Sequence, residues 1–281
     1  HYQQSEKYKG LAPKTQRSYD QCMKIIEAWS EQASHSQIAS IVPLAVERFY
    51  KSMLDTPHQA AAVIRVLRIL LNRAVKYRLI DSNPAAKPEI RSPAPRDAVW
   101  TDEATRVLIE TANNNGRRSI ALAVMLAKYT GQRQGDILRL SWNQYDGETL
   151  RLRQRKTGKV LAVPVIAILR QWLDGTSQAS PIIVLSEATG RPYREDNFRH
   201  VFSDIRDRAG VGELQFRDLR RTAAVQLAEA GCTAPEIAAI TGHAIESTQK
   251  ILETYVPRTS TMARNAMLKL ERNKSGSELE G

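Results

Sequence analysis

The chain is short of several things that define whole classes of protein. It has two cysteines in 281 residues, Cys22 and Cys232, so no disulfide framework and no Cys-based metal pattern can be built from them. That usage suits a reducing compartment, and both cysteines lie in helical patterns where they read as small buried apolar groups. No apolar run approaches the roughly 20 residues needed to cross a bilayer, and no signal peptide pattern is present. No internal repeat is visible. The expectation is a cytoplasmic protein without a membrane among its partners.

What the chain has in excess is positive charge. Lys and Arg number 41 against 30 Asp and Glu, a formal net charge of +11. Such a surplus favours a polyanionic partner, nucleic acid before an acidic membrane surface. At 281 residues there is room for one large or two ordinary domains. The chain begins at His1, which points to a piece of a longer protein, and its end, "NKSGSELEG", reads as a flexible tail over 274–281.

The first 87 residues pattern as helices. In "TQRSYDQCMKIIEAWSEQ", Tyr19, Cys22, Met23, Ile26 and Trp29 follow helical spacing. "PLAVERFYKSML" supplies a second helix, with Pro43 at a first-turn position. The third and longest, "HQAAAVIRVLRILLNRAVKYRLI", is expected to end near Asp81. On it Arg65, Arg68, Asn72 and Lys76 share a face opposite Val63, Leu67, Leu70 and Leu71. That face is a solvated surface or a DNA-contacting one. Prolines in "PEIRSPAPRDAVW" mark a linker over 88–99.

A second domain is expected over 100–273. Thr101 is a helix N-cap followed by Asp102 and Glu103. "SIALAVMLAKYTG" reads as a buried helix closed by Gly131. One β signal interrupts the helices. "ETLRLRQRKTGKVLAVPV" alternates at Leu150 and Leu152, then at Val160 and Ala162, around a "KTGK" turn. Two or three antiparallel strands are therefore expected within a mainly α domain.

Cations recur where they are locally unfavourable. "FRDLRRTAAVQLAEAG" opens a helix with Arg217, Arg220 and Arg221, although a helix N-terminus already carries partial positive charge. An anion in front of the helix would resolve the conflict. Arg133 in "TGQRQGDIL", Lys156 at the hairpin tip, His243 in "TGH" and Tyr255 in "ILETY" complete a set suited to a phosphodiester.

The order of these pieces resembles the tyrosine recombinases, the phage integrase family. The resemblance covers 101–255 by motif and the N-terminal helices by architecture: a helical core-binding domain over 1–87, then a mostly helical catalytic domain with a small antiparallel sheet. It implies a site-specific recombinase or integrase acting on double-stranded DNA without metal or ATP. It also implies a bacterial or phage origin, a place at the nucleoid, and a homotetramer on two DNA sites. Arg133 and Arg220 would clamp the phosphate bidentately. Tyr255 would attack to give a 3′-phosphotyrosyl link. Lys156 would protonate the 5′ oxygen, His243 would hydrogen-bond the phosphate, and Asp136 would orient Arg133. Arg217 stands where the family usually has His. Arginine cannot serve as a base, so the Tyr255 proton would pass to water or His243.

Two further expectations concern geometry. A straight helix from His243 to Tyr255 would separate their Cα atoms by roughly 18 Å. The chain must therefore break, at "GHA" or after Leu252, or Tyr255 must come from another subunit. The last helix, with Met262, Ala266, Met267 and Leu270 at helical spacing, either packs in cis or docks on a neighbouring protomer. Full integrases of this type often carry an additional N-terminal arm-binding domain, absent from this chain. Two other readings stay open: a non-catalytic DNA-binding protein retaining the fold, and a type IB topoisomerase.

Overall fold

The computed structural model describes residues 2–32, 37–86 and 96–255, with isolated positions 264, 267, 268 and 271; for Tyr255 it describes the backbone alone. The chain divides into two compact units, His1–Arg96 and Asp97–Gly281.

The first unit is helical: α1 (Glu6–Lys9), α2 (Pro13–Gln32), α3 (Pro43–Lys51) and α4 (Pro57–Lys76). Its core is the apolar stripe of α4, Val63, Ile64, Leu67 and Leu71, closed over by Met23 and Ile26 of α2 and Phe49 of α3. Trp29 stacks on Phe49 with ring centroids 4.3 Å apart. Proline opens α3 and α4, where its missing N–H costs nothing. The apolar pattern runs on towards Asp81, but α4 stops at Lys76. Arg78 takes a left-handed φ of 56° and Leu79 N–H bonds Ala74 O, so the chain doubles back along α4. Asn83 fastens this return by donating to Arg68 O (3.1 Å) and Asn72 Oδ1 (2.6 Å).

The second unit is built on α6 (Arg118–Thr130), preceded by α5 (Asp102–Asn114). From Ser119 to Lys128 every α6 side chain is buried, so this helix is surrounded rather than amphipathic. After it come α7 (Gln134–Ile137), strands β1 (Thr149–Arg153) and β2 (Val160–Pro164), α8 (Ala167–Asp174), α9 (Glu195–Arg208), α10 (Leu219–Glu229), α11 (Ala234–Thr241) and α12 (Ile245–Tyr255). Helices α5, α8 and α10 pack against α6. Phe198, Phe202 and Phe216 interlock with Trp100 and Tyr193 beside it. Trp100 donates its backbone N–H to Thr222 Oγ1 (2.9 Å) and its indole N–H to Gln215 O (3.0 Å), which fixes the start of α10.

The sheet has two antiparallel strands with Leu152 opposite Leu161 and Leu150 opposite Val163. Directly paired residues share a face, so Leu161 and Val163 join Leu150 and Leu152 in the core. This corrects the expected phase of the second strand. Val160 is 75% exposed, and Ala162 faces solvent with it. Helix and fold class are otherwise as the sequence implied: mainly α with one small antiparallel sheet.

No side chain of α6's own N-cap residue, Arg117, satisfies the helix's leading N–H groups. Glu187 does so from another segment, accepting from Ser119 N–H (2.6 Å) and Ser119 Oγ–H (2.7 Å). Glu187→Ala should therefore cost about 1 kcal/mol, the usual value of a lost N-cap, read as a lower urea midpoint with unchanged m-value.

Candidate phosphate-binding site

The site begins where two helices end in the same dipeptide. Thr130-Gly131 closes α6 and Thr241-Gly242 closes α11, each glycine left-handed (φ 64° and 71°) and bonded back to its helix. Each threonine hydroxyl also turns back, Thr130 to Leu126 O and Thr241 to Ile237 O. The two ends touch. A Cβ on Gly131 would lie 2.7 Å from Thr241 Cγ2, and one on Gly242 would lie 2.5 Å from Gln154 Nε2. Glycine is thus required at both places by φ and by space.

Two helix C-termini bring together partial negative charge. Arg220, from the first turn of α10, fills the position between them. Its Nη1 donates to Gly131 O (2.7 Å) and Thr241 O (2.5 Å), and its Nε donates to His243 Nε2 (3.0 Å). Arg220 is only 9% exposed, yet its Nη2 has no hydrogen-bond partner among the described residues. Burial, then the neighbouring Arg133, push its pKa down to about 9, against the pull of Asp136. The guanidinium stays charged at neutral pH, but the site holds more cation than anion.

His243 is neutral. Thr241 gives its hydroxyl proton to Ile237 O, so the contact of 2.9 Å between Thr241 Oγ1 and His243 Nδ1 requires the ring proton on Nδ1. Nε2 is then the acceptor for Arg220. Burial, followed by Arg220, Arg133 and Lys159, lowers the imidazole pKa to about 3.

Arg133 follows Gly131 by two residues and donates Nη1 to Gln154 Oε1 at 3.1 Å. Its separation from Asp136 Oδ2 is longer, 3.9 Å. The nearer partner of the Asp136 carboxylate is the Arg155 N–H, 2.9 Å from Oδ1. Gln154 itself is fully buried. Its Nε2 donates to Thr241 O (2.9 Å) and Gln132 Oε1 (2.7 Å), while Oε1 accepts from Arg133 and from Thr157 Oγ1 (2.9 Å). Gln132 in turn donates to Thr130 O and Ile240 O.

This array joins four separated stretches: the end of α6, the base of the hairpin, the start of α10 and the end of α11. The phage integrase family matches residues 99–256, more than half of the chain. The chain belongs to the phage integrase family. Its activity class is that of the site-specific tyrosine recombinases, enzymes that break and rejoin DNA strands. A tyrosine recombinase XerC-like protein of Caldanaerobacter subterraneus subsp. tengcongensis is 23% identical, over 81% of this chain and 71% of that one. A lambda integrase dimer bound to a COC′ core site superposes with TM-score 0.74 at 20% identity, covering 86% of this chain and 89% of that one. A Tn1549 transposon integrase in complex with circular intermediate DNA gives TM-score 0.72 at 16% identity, covering 92% and 95%. Both likenesses show that this integrase family member has their fold.

The residues singled out from the family's motifs do not all meet. Arg133, Arg220, His243 and Asp136 converge. Lys156 is exposed in the turn between β1 and β2 and has no hydrogen-bond partner among the described residues. Arg217 sits in a short 3₁₀ turn, Phe216–Asp218, ahead of α10; it is exposed while Arg220 is buried. The two arginines therefore do not share a helix face, contrary to their spacing. Tyr255 is the last residue of α12, whose start at Ile245 leaves the expected break at 242–244. Met262, Ala266 and Leu270 lie outside the described residues. Arg65, Arg68, Asn72 and Lys76 belong to the first unit, where Arg65, Asn72 and Lys76 are exposed. Arg68 is half-buried and donates Nε to Ala85 O (2.9 Å), and Asn72 accepts from Asn83.

Gln132, Gln154, Thr241 and Lys159 went unread in the sequence. Gln154 had a signal: it continues the buried phase of Leu150 and Leu152, a polar residue where the alternation demands an apolar one. Lys159 donates Nζ to His243 O at 3.0 Å.

Two outcomes follow. Gly131→Ala should lose at least about 1 kcal/mol, since φ 64° and Thr241 both oppose a Cβ; chemical denaturation measures it. For His243 the unfolded chain takes up a proton near pH 6.5 and the folded chain not until about 3. Stability is therefore full above pH 6.5 and falls as pH drops towards 3. His243→Gln should flatten that part of the melting-temperature profile.

Proposed function

We propose that this recombinase holds the scissile phosphate between Arg133 and Arg220 and attacks it with Tyr255. One observation carries the reading: the buried Nη2 of Arg220 has no partner among the described residues, beside a second guanidinium, Arg133. An unpaired buried N–H is costly, and a phosphate oxygen satisfies it with the charge the site is short of. Donors fixed in advance of reaction are worth about 10²–10³ in rate each.

The Tyr255 oxygen forms a bond to phosphorus as the bond to the 5′ oxygen breaks. Lys156 supplies the proton that the departing oxygen takes. The 3′-phosphotyrosyl link keeps the energy of the broken bond, so a new 5′ hydroxyl can reverse the step without an energy source. Once the phosphate draws Arg220 to itself, His243 Nε2 is released from accepting that N–H. The phosphate charge favours its protonation, and it or water takes the tyrosine proton. Asp136 acts on the site by holding the Arg155 N–H of the Lys156 turn as well as by facing Arg133. Arg217, exposed in the 3₁₀ turn ahead of α10, donates hydrogen bonds to the phosphate but cannot serve as the base.

The first unit is the core-binding domain, joined by the 88–99 linker to the catalytic domain over 100–273, with 274–281 as a tail. Arg65 and Lys76 contact DNA phosphates from α4, with Arg68 and Asn72 between them also shaping its surface. The partner is double-stranded DNA at the nucleoid, bound by a homotetramer across two DNA sites, with the last helix packed in cis or docked on a neighbouring protomer. The neighbours include a lambda integrase tetramer bound to a Holliday junction.

The test first locates the bound site by footprinting, then uses a nicked duplex carrying that site, which traps the covalent product. Wild type should form a protein–DNA adduct, Tyr255→Phe none, and Arg220→Ala about 10²–10³-fold less. No adduct from wild type would leave a DNA-binding protein only; adduct without exchange between two duplexes would make it a topoisomerase. Arg65→Ala and Lys76→Ala should each reduce the slope of log affinity against log salt by about 0.9.

A further inference from the structure

The side chains of the turn that carries Lys156 are not packed into the core. Residues 155–159 are all exposed, and a Cβ on Gly158 would meet nothing within 4 Å. A lysine on such a turn would sweep a wide volume, and a group misplaced by about 1 Å can lose 10²-fold in rate. Something must hold the turn if Lys156 is to meet one oxygen.

The residues on either side of Lys156 are each tied to the Arg133 limb. Arg155 gives its backbone N–H to Asp136 Oδ1 (2.9 Å), and Thr157 gives its hydroxyl to Gln154 Oε1 (2.9 Å). Gln154 also closes the turn through its backbone, donating to Lys159 O and accepting from Gly158 N–H, both at 2.8 Å. Its side chain, buried completely, has both amide donors and its carbonyl engaged. The orientation of the amide is fixed, because Nε2 faces two acceptors and Oε1 two donors. One oxygen atom therefore takes hydrogen bonds from Arg133 and from the neighbour of Lys156. The nitrogen beside it is bonded to the same Thr241 carbonyl that receives Arg220.

We propose that Gln154 is a positioning residue that sets Lys156 relative to Arg133 and Arg220. It rests on the reading of Lys156 as the group that protonates the departing oxygen. In this role the amide does no chemistry. It gives an exposed hairpin turn a base fixed to the two arginines, while Lys156 keeps its side-chain freedom. A glutamine suits the task because it offers donors and an acceptor together; a carboxylate would offer only acceptors to the Thr241 carbonyl.

The decisive comparison is between nicked duplexes with oxygen or sulfur at the 5′-bridging position. A thiol leaves unaided, its pKa lying near about 8.5 as in cysteine, so sulfur removes the need for Lys156. Gln154→Ala should slow adduct formation on the oxygen substrate by about 10–100-fold and on sulfur by less than about threefold, matching the pattern of Lys156→Ala. Equal slowing on both substrates would overturn the proposal and place Gln154 in the service of Arg133 or of folding. Should Gln154→Ala lack a cooperative melt, Thr157→Val decides, since it removes an exposed tether only. A loss confined to oxygen supports the proposal, and no loss refutes it. The underlying reading fails separately: wild type would then give no adduct, or Lys156→Ala would not recover on sulfur.

Discussion

The buried guanidinium of Arg220 is the interaction on which the catalytic unit depends. It stands at the N-terminal end of α10, where a cation is disfavoured, and it is almost out of water. Two helix C-termini compensate. The carbonyls of Gly131 and Thr241 receive Nη1, and the ends of α6 and α11 lend their partial negative charge. The arrangement leaves one edge of the guanidinium unused. A fully satisfied arginine there would be a structural strut; this one is stabilised on one side, and on the other its Nη2 has no hydrogen-bond partner among the described residues.

The same pair of helix ends sets the rest. Because Gly131 and Gly242 both turn left-handed, the chain leaves α6 towards Arg133 and leaves α11 towards His243, delivering both beside Arg220. Gln132 and Gln154 fill the space between with a closed set of hydrogen bonds. A buried network of this kind is stable only when every member is satisfied, and each amide of these two glutamines has partners. The cost of assembling several cations is visible in His243, held neutral by burial and by three neighbouring positive groups.

The structure also separates two kinds of cation that the sequence makes look alike. Arg217 and Arg220 are three residues apart, a spacing that on a continuous helix would put them on one face. The 3₁₀ turn at Phe216–Asp218 breaks that equivalence, sending one to solvent and the other into the core. On α4 the four polar residues do fall on one side, yet Arg68 and Asn72 take part in holding the returning loop around Asn83 and Ala85. Spacing places residues on a face; it does not say what else lies over that face.

The sequence by itself determined most of the helices, the left-handed glycine after α6, the N-cap at Thr101 and the candidate groups Arg133, Lys156, Arg220, His243 and Tyr255; of the three ways to relate His243 to Tyr255, the start of α12 at Ile245 selected the break at "GHA". These are legible because periodicity, caps and motif order are local properties of the chain. It did not determine that α4 ends at Lys76, that β2 buries Leu161 rather than Val160, or that Gln154 joins the site. Only the tertiary structure decided these, since each depends on a partner far along the chain: the loop folded back on α4, the register against Leu152, the carbonyl of Thr241. Polar hubs are hidden from sequence reading for the same physical reason that they work. A glutamine has no preference for a site until distant segments bring it two donors and two acceptors at once.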